Sequence, residues 1–139
     1  MLSVGSINAI LTEHNNARRT VSPEAATMPM LTWDQTLADF AQEYMDGCPG
    51  MVPSPIASRM NTTRFRFSYV GENLAAGSSP NMGVENGGAL STELWNNEKA
   101  DWTFPQTCAS GKVCGHYTQV IWAATTKVGC GYKYCESLT

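Results

Sequence analysis

An α+β domain follows from three features of this sequence: helical hydrophobic spacing in its first half, β-branched and aromatic runs in its last third, and a length that suits one domain. The chain has 139 residues, an ordinary single-domain size. A chain of this length can bury roughly two-thirds of its unfolded surface. Hydrophobic residues make up 42% and charged residues 15%, the balance of a globular protein rather than a disordered one. Helices early and strands late predict layered α and β elements.

Val4, Ile7, Ile10, Leu11, His14 and Arg18 fall at i, i+3, i+4 and i+7 spacing and predict a first helix, which ends before Pro23. Asp34 can cap a second helix whose apolar face is Leu37, Phe40, Ala41 and Tyr44, with Gly47 as its stop. Cys48-Pro49-Gly50 opens a long loop rich in Pro and Ser. A short extended piece is expected at residues 67–70, running into Gly71-Glu72-Asn73-Leu74. A helix from about Val84 to Lys99 carries Leu90, Leu94, Trp95 and Glu98. Residues 117–122 and 127–132 then read as two strands joined by a turn at 123–126.

The net charge of -3 offers no field to attract phosphate backbones, so nucleic acid is excluded as an expected partner. No apolar run approaches the roughly 20 residues of a membrane span, so no transmembrane segment is expected. The opening Met1-Leu2-Ser3 carries no basic-then-apolar leader pattern, and the chain reads as a mature one. Five cysteines, Cys48, Cys108, Cys114, Cys130 and Cys135, lack the paired spacing and histidine companions of a zinc site. Disulfides fit better, with the connectivity open, and they imply an oxidising, extracellular location. Asn61-Thr62-Thr63 is an N-glycosylation acceptor that agrees with a secretory route.

Several motifs in order resemble one family. His14-Asn15-x-x-Arg18, Leu31-Thr32-Trp33-Asp34, Gly71-Glu72-Asn73-Leu74, Leu94-Trp95-x-x-Glu98, Cys114 to Trp122 and Val128-Gly129-Cys130-Gly131 are similar to those of the CAP superfamily. That superfamily groups cysteine-rich secretory proteins, antigen 5 and plant pathogenesis-related proteins. The resemblance implies one SCP domain over residues 1–139, built as a three-layer α-β-α sandwich with a central antiparallel sheet. It also implies a cleft lined by two histidines and two glutamates, with Glu72, Glu98 and His116 matching three of the four. The first family histidine has no counterpart between Cys48 and Glu72. Counting back from Glu72 lands near Asn61, which stands as the fourth ligand-binding candidate. A weakly bound divalent cation at His116 is the only metal expected, because carboxylates with one imidazole make a poor zinc site; no other cofactor is expected. Relatives continue into one more strand with a cysteine for the equivalent of Cys130. The chain therefore reads as truncated at its C-terminal end, with Cys130 as the orphan thiol.

Each candidate has a plainer reading. His116 could fix a loop, Glu72 could bond amides of its own turn, and Glu98 could be a solvated helix carboxylate. His14 and Arg18 read as a buried polar tie between helix and sheet, and Trp33, Trp95 and Trp122 as core. Met28, Met30, Met45 and Met51 are core filler by default, or a lipid-accepting surface. The resemblance implies a secreted protein that binds a sterol or fatty acid, or a host or surface protein. The alternative is a toxin, allergen or immune modulator that binds no small ligand. A cation-dependent hydrolase ranks last: no G-x-S-x-G occurs, and the histidine–glutamate set is incomplete. No catalytic residue is therefore assigned.

Overall fold

The computed structural model describes residues 2–77 and 87–136. Helix α1, Val4–Arg19, starts where the Ser3 hydroxyl accepts from the Ser6 N–H. Arg18 and Arg19 occupy its last turn, where cations favour the helix dipole. Its inner face buries Ile10, His14 and Arg18 of the predicted set together with Asn15 and Ala17, while Val4 is 75% exposed and Ile7 and Leu11 are half-buried; it packs chiefly on α5, which runs from Gly87 to Asn97. The predicted start of that helix at Val84 lies outside the described residues. Its end differs from expectation, because Glu98–Asp101 tighten into a 3-10 turn.

Asp34 accepts from the Leu37 N–H at 2.8 Å and so caps α2, Gln35–Asp46, which stops at Gly47. Two single-turn helices follow, α3 at Ile56–Arg59 and α4 at Thr62–Phe65. Phe40 of α2 meets Phe65 edge-on at 5.3 Å. Arg64 lies over both rings and bonds Glu43 with two nitrogens. Together α2 and α4 make one helical layer, while α1, α5 and α6, Gly115–Val120, make the other.

Between these layers β1, Thr32–Trp33, pairs with β4, Lys127–Val128. The chain after β4 lies flush against the α2 backbone. A Cβ on Gly129 would sit 2.2 Å from the Ala38 nitrogen, and one on Gly131 2.4 Å from the Gln42 nitrogen. Only glycine permits that approach, which is the physical content of the Val-Gly-Cys-Gly motif. The Gln42 side chain seals the junction by accepting from the Tyr132 N–H and donating to its carbonyl.

Arg18 ties the helical layer to two loops. It is 2% exposed, and its guanidinium donates to the carbonyls of Pro29, Val120, Trp122 and Thr125. Burial lowers its pKa from the usual arginine value. His14, one turn earlier, donates from Nδ1 to the Ile10 carbonyl at 2.9 Å.

Several expectations are corrected. Residues 117–122 are not a strand; they lie in and just after α6, because Tyr117 and Val120 are buried at i, i+3 spacing and Glu98 caps the helix from a distance. β-propensity gives way to such context. Residues 67–70 form no strand. The pair β1–β4 is parallel, and the antiparallel pair joins β2, Trp102–Thr103, to β3, Thr107–Cys108. Trp122 is 54% exposed rather than core; Trp95 is half-buried, as is Trp33, whose buried Nε1 finds no hydrogen-bond partner among the described residues. Disulfides link Cys48 to Cys135 and Cys108 to Cys114, and Cys130 is free.

Candidate functional site

Glu98 leaves the end of α5 and meets the start of α6. Its Oε1 accepts from the backbone N–H groups of His116 and Tyr117, each at 3.0 Å, and its Oε2 lies 2.7 Å from His116 Nδ1. One carboxylate thus caps a helix and orients an imidazole. With Nδ1–H donating to Glu98, the neutral ring keeps an acceptor lone pair on Nε2. Trp95, nearly one turn before Glu98, stacks on the His116 ring with centroids 6.4 Å apart and planes 19° apart. Its indole N–H donates to the Leu74 carbonyl, and Asn73 donates to the His116 carbonyl. The Gly71–Leu74 turn is thereby hung on α5 and α6.

Glu72 belongs to that turn and is held by a different set of partners. Its carboxylate accepts from the Ser54 N–H at 2.9 Å and the Ser54 hydroxyl at 2.6 Å, with Arg59 Nε 3.9 Å away. Arg59 in turn donates to the Val70 carbonyl. Asn61 is not brought to this cluster, which corrects the sequence expectation. It caps α4, its Oδ1 accepting from the Arg64 N–H. Ser54 and Arg59 are the partners that sequence reasoning missed. Ser54 sits in the irregular chain before α3 and Arg59 at the end of that single turn, and no local pattern marks either.

Two Glu-centred clusters result, joined through Asn73. Among the described residues no three His, Cys, Asp or Glu side chains are grouped to hold a metal ion. Glu98 is committed to two amides and a ring nitrogen, and Glu72 to a serine and an arginine. The residues present do not fit a zinc centre. Ser54 is only 3% exposed, so it does not present a nucleophile to solvent.

Behind Glu72 runs a groove of about 650 Å³, whose walls include Ile10, Leu31, Phe40, Val120, Val128 and Cys130. It opens between the two helical layers. Burial pushes the Cys130 thiol up to about 12.

A family model for the cysteine-rich secretory protein family, CAP, matches residues 11–139. The chain belongs to that family. Among relatives of this CAP chain, bovine (Bos taurus) peptidase inhibitor 16 is 38% identical over 126 residues, covering 90% of this chain and 24% of its own. Pathogenesis-related protein 1C of Nicotiana tabacum is 38% identical over 128 residues, covering 91% and 66%. The chain thus spans about a quarter of the length of peptidase inhibitor 16. The solved venom allergen-like protein 4 of Schistosoma mansoni superposes with a TM-score of 0.74 at 24% identity, over 96% of this chain and 82% of that one. The fold of this CAP chain is therefore the family's α-β-α sandwich. No described helix is long and apolar enough to cross a membrane.

Proposed function

We propose that this chain is a secreted binding module that takes an apolar ligand, a sterol or fatty acid, into the groove between its helical layers. The observation that carries this reading is the groove itself. Its volume of about 650 Å³ lies within the range of small-molecule sites, which are mostly apolar with a few polar groups at the edge. Leu31, Phe40 and Val128 supply apolar wall, while Glu72 and Arg59 stand at its polar side. Secretion is supported by family membership and by the disulfides.

The test is uptake of labelled sterol and fatty acid, measured on the chain and on Ala41→Trp, which places an indole in the groove wall. The reading expects uptake by the wild type, loss in Ala41→Trp and retention in His116→Ala. Equal uptake by wild type and Ala41→Trp would remove the groove as the site.

A protein-facing role is the second reading. Met51, Val52, Ile56 and Tyr69 are each more than half exposed on the segment from Cys48 to Gly71, as apolar side chains at contact surfaces often are. Absence of lipid uptake by a folded wild type would favour it. Hydrolysis has less support, because Ser54 is buried and the His116–Glu98 pair has no nucleophile as a described hydrogen-bond partner.

A further inference from the structure

We infer that Asn61 is a site of N-linked glycosylation, placed on the α2–α4 layer away from the Glu98–His116 pair. Asn61-Thr62-Thr63 is the only Asn-x-Ser/Thr triplet in the sequence, and all three residues are exposed. A triplet alone is weak, so the geometry of the acceptor decides. Asn61 uses Oδ1 to cap α4, accepting from the Arg64 N–H at 3.2 Å. Its Nδ2 donates to none of the described groups. Nδ2 is the atom that carries the sugar, and a glycosylated amide keeps its carbonyl oxygen. The cap therefore survives the modification, whereas a side chain bound through Nδ2 would have to be released.

The neighbourhood can receive a sugar. Asn61 borders a shallow hollow of about 380 Å³ lined by Phe40, Glu43, Tyr44, Ser58 and Arg64. Two aromatic side chains line the hollow beside donors and acceptors, and it lies open to solvent. Arg64 is held over Phe40 and Phe65 and paired with Glu43, so the wall beside the first sugar is preformed.

In the transfer, Nδ2 attacks the anomeric carbon of an oligosaccharide carried on a polyprenyl pyrophosphate. The N–C bond forms, the C–O bond to the pyrophosphate breaks, that group leaves with the electron pair, and Nδ2 loses one proton. No redox change occurs. The inference rests on the secretory route of the proposed function, and the experiment supplies that route independently.

The full chain is expressed behind an added signal peptide in a eukaryotic host. Secreted and membrane-retained fractions are both treated with peptide-N-glycosidase and read by mass. Wild type and Thr63→Ser are expected to lose the mass of one glycan. Asn61→Gln and Thr63→Ala are expected to show no change. Thr63→Ala leaves the Asn61 cap in place, so its behaviour separates loss of the acceptor from misfolding. A wild type without glycan in both fractions, or a glycan persisting in Asn61→Gln or Thr63→Ala, would overturn the inference.

Discussion

Glu98 holds His116 at both ends of its residue, accepting from the backbone N–H at 3.0 Å and from ring Nδ1 at 2.7 Å. The same carboxylate accepts from the Tyr117 N–H, so the residue that resembles a cleft ligand is also the cap of α6. Charge-assisted hydrogen bonds of this kind contribute about 1.5–3 kcal/mol each, and unmet amides cost a further increment. Glu98→Ala is expected to lose about 3 kcal/mol of stability, and Glu98→Gln, which keeps one acceptor oxygen, about 1 kcal/mol. Urea denaturation of the three proteins checks the order. A Glu98→Ala protein as stable as wild type would return Glu98 to the cleft alone.

The chain is expected to carry no stoichiometric zinc after gel filtration in zinc-containing buffer. Glu72 is spent on Ser54 and Arg59, Glu98 on α6 and His116. One imidazole is a single ligand, and catalytic zinc sites require three. Metal analysis by mass spectrometry reads the outcome directly; one zinc per chain would mean that these side chains rearrange.

Arg18 supplies the next expected outcome. Its guanidinium satisfies four carbonyls, those of Pro29, Trp122 and Thr125 in two loops and of Val120 at the end of α6, while only 2% exposed. Arg18→Met leaves those oxygens unmet in the interior, a loss of roughly 4 kcal/mol. Lysine cannot reproduce the planar fork and should recover only part of it. Calorimetric melting of Arg18→Met, Arg18→Lys and wild type ranks the three, and a ranking with Arg18→Met at wild-type level would contradict the assignment.

Elements whose causes are local were legible in the sequence. Asp34 caps a helix by accepting from the amide three residues ahead, and Ile10, His14 and Arg18 recur on one face of α1. The Gly129 and Gly131 motif was visible too, although its reason, contact with the α2 backbone, was not. What failed has distant causes. Tyr117 to Trp122 looks like a strand by composition, but the carboxylate that starts α6 lies 18 residues upstream of His116. Ser54 likewise meets Glu72 across a separation of 18 residues that includes α3 and α4. Asn61 was drawn to the cleft by counting along a loop, a procedure that carries no information about where the loop folds.

His14 makes stability pH-dependent, with a definite sign. Burial lowers its pKa below 6.5, outweighing the backbone bond to Ile10 that raises it, and nearby Arg18 lowers it further. Below pH 6.5 the unfolded chain therefore binds a proton that the folded chain resists, so stability is full above that pH and falls as pH drops through the interval beneath it. Denaturation midpoints at pH 7.5 and 5.5 should differ more in wild type than in His14→Gln. An equal pH response in the two would mean that His14 titrates as it does in the unfolded chain.

Cys130 has the opposite sign. Its thiol is raised from 9.0 to about 12 by burial, so the folded state favours the neutral form. Its stabilising contribution is complete below pH 9 and is lost as pH rises toward 12, because the unfolded chain releases the proton first. At pH 8 the thiolate fraction in the folded protein is on the order of 10⁻⁴, and thiolate is the nucleophile. An aromatic disulfide reagent should find no reactive thiol in native protein, then one per chain in denaturant without reductant. Peptide mapping should join Cys48 to Cys135 and Cys108 to Cys114. Comparison with Cys130→Ala completes the test: between pH 8 and 10 wild type should lose roughly 1 kcal/mol more than the variant. Fast native labelling of Cys130 would mean that the groove admits water to its sulfur, and the pH difference between the two proteins would then vanish with it.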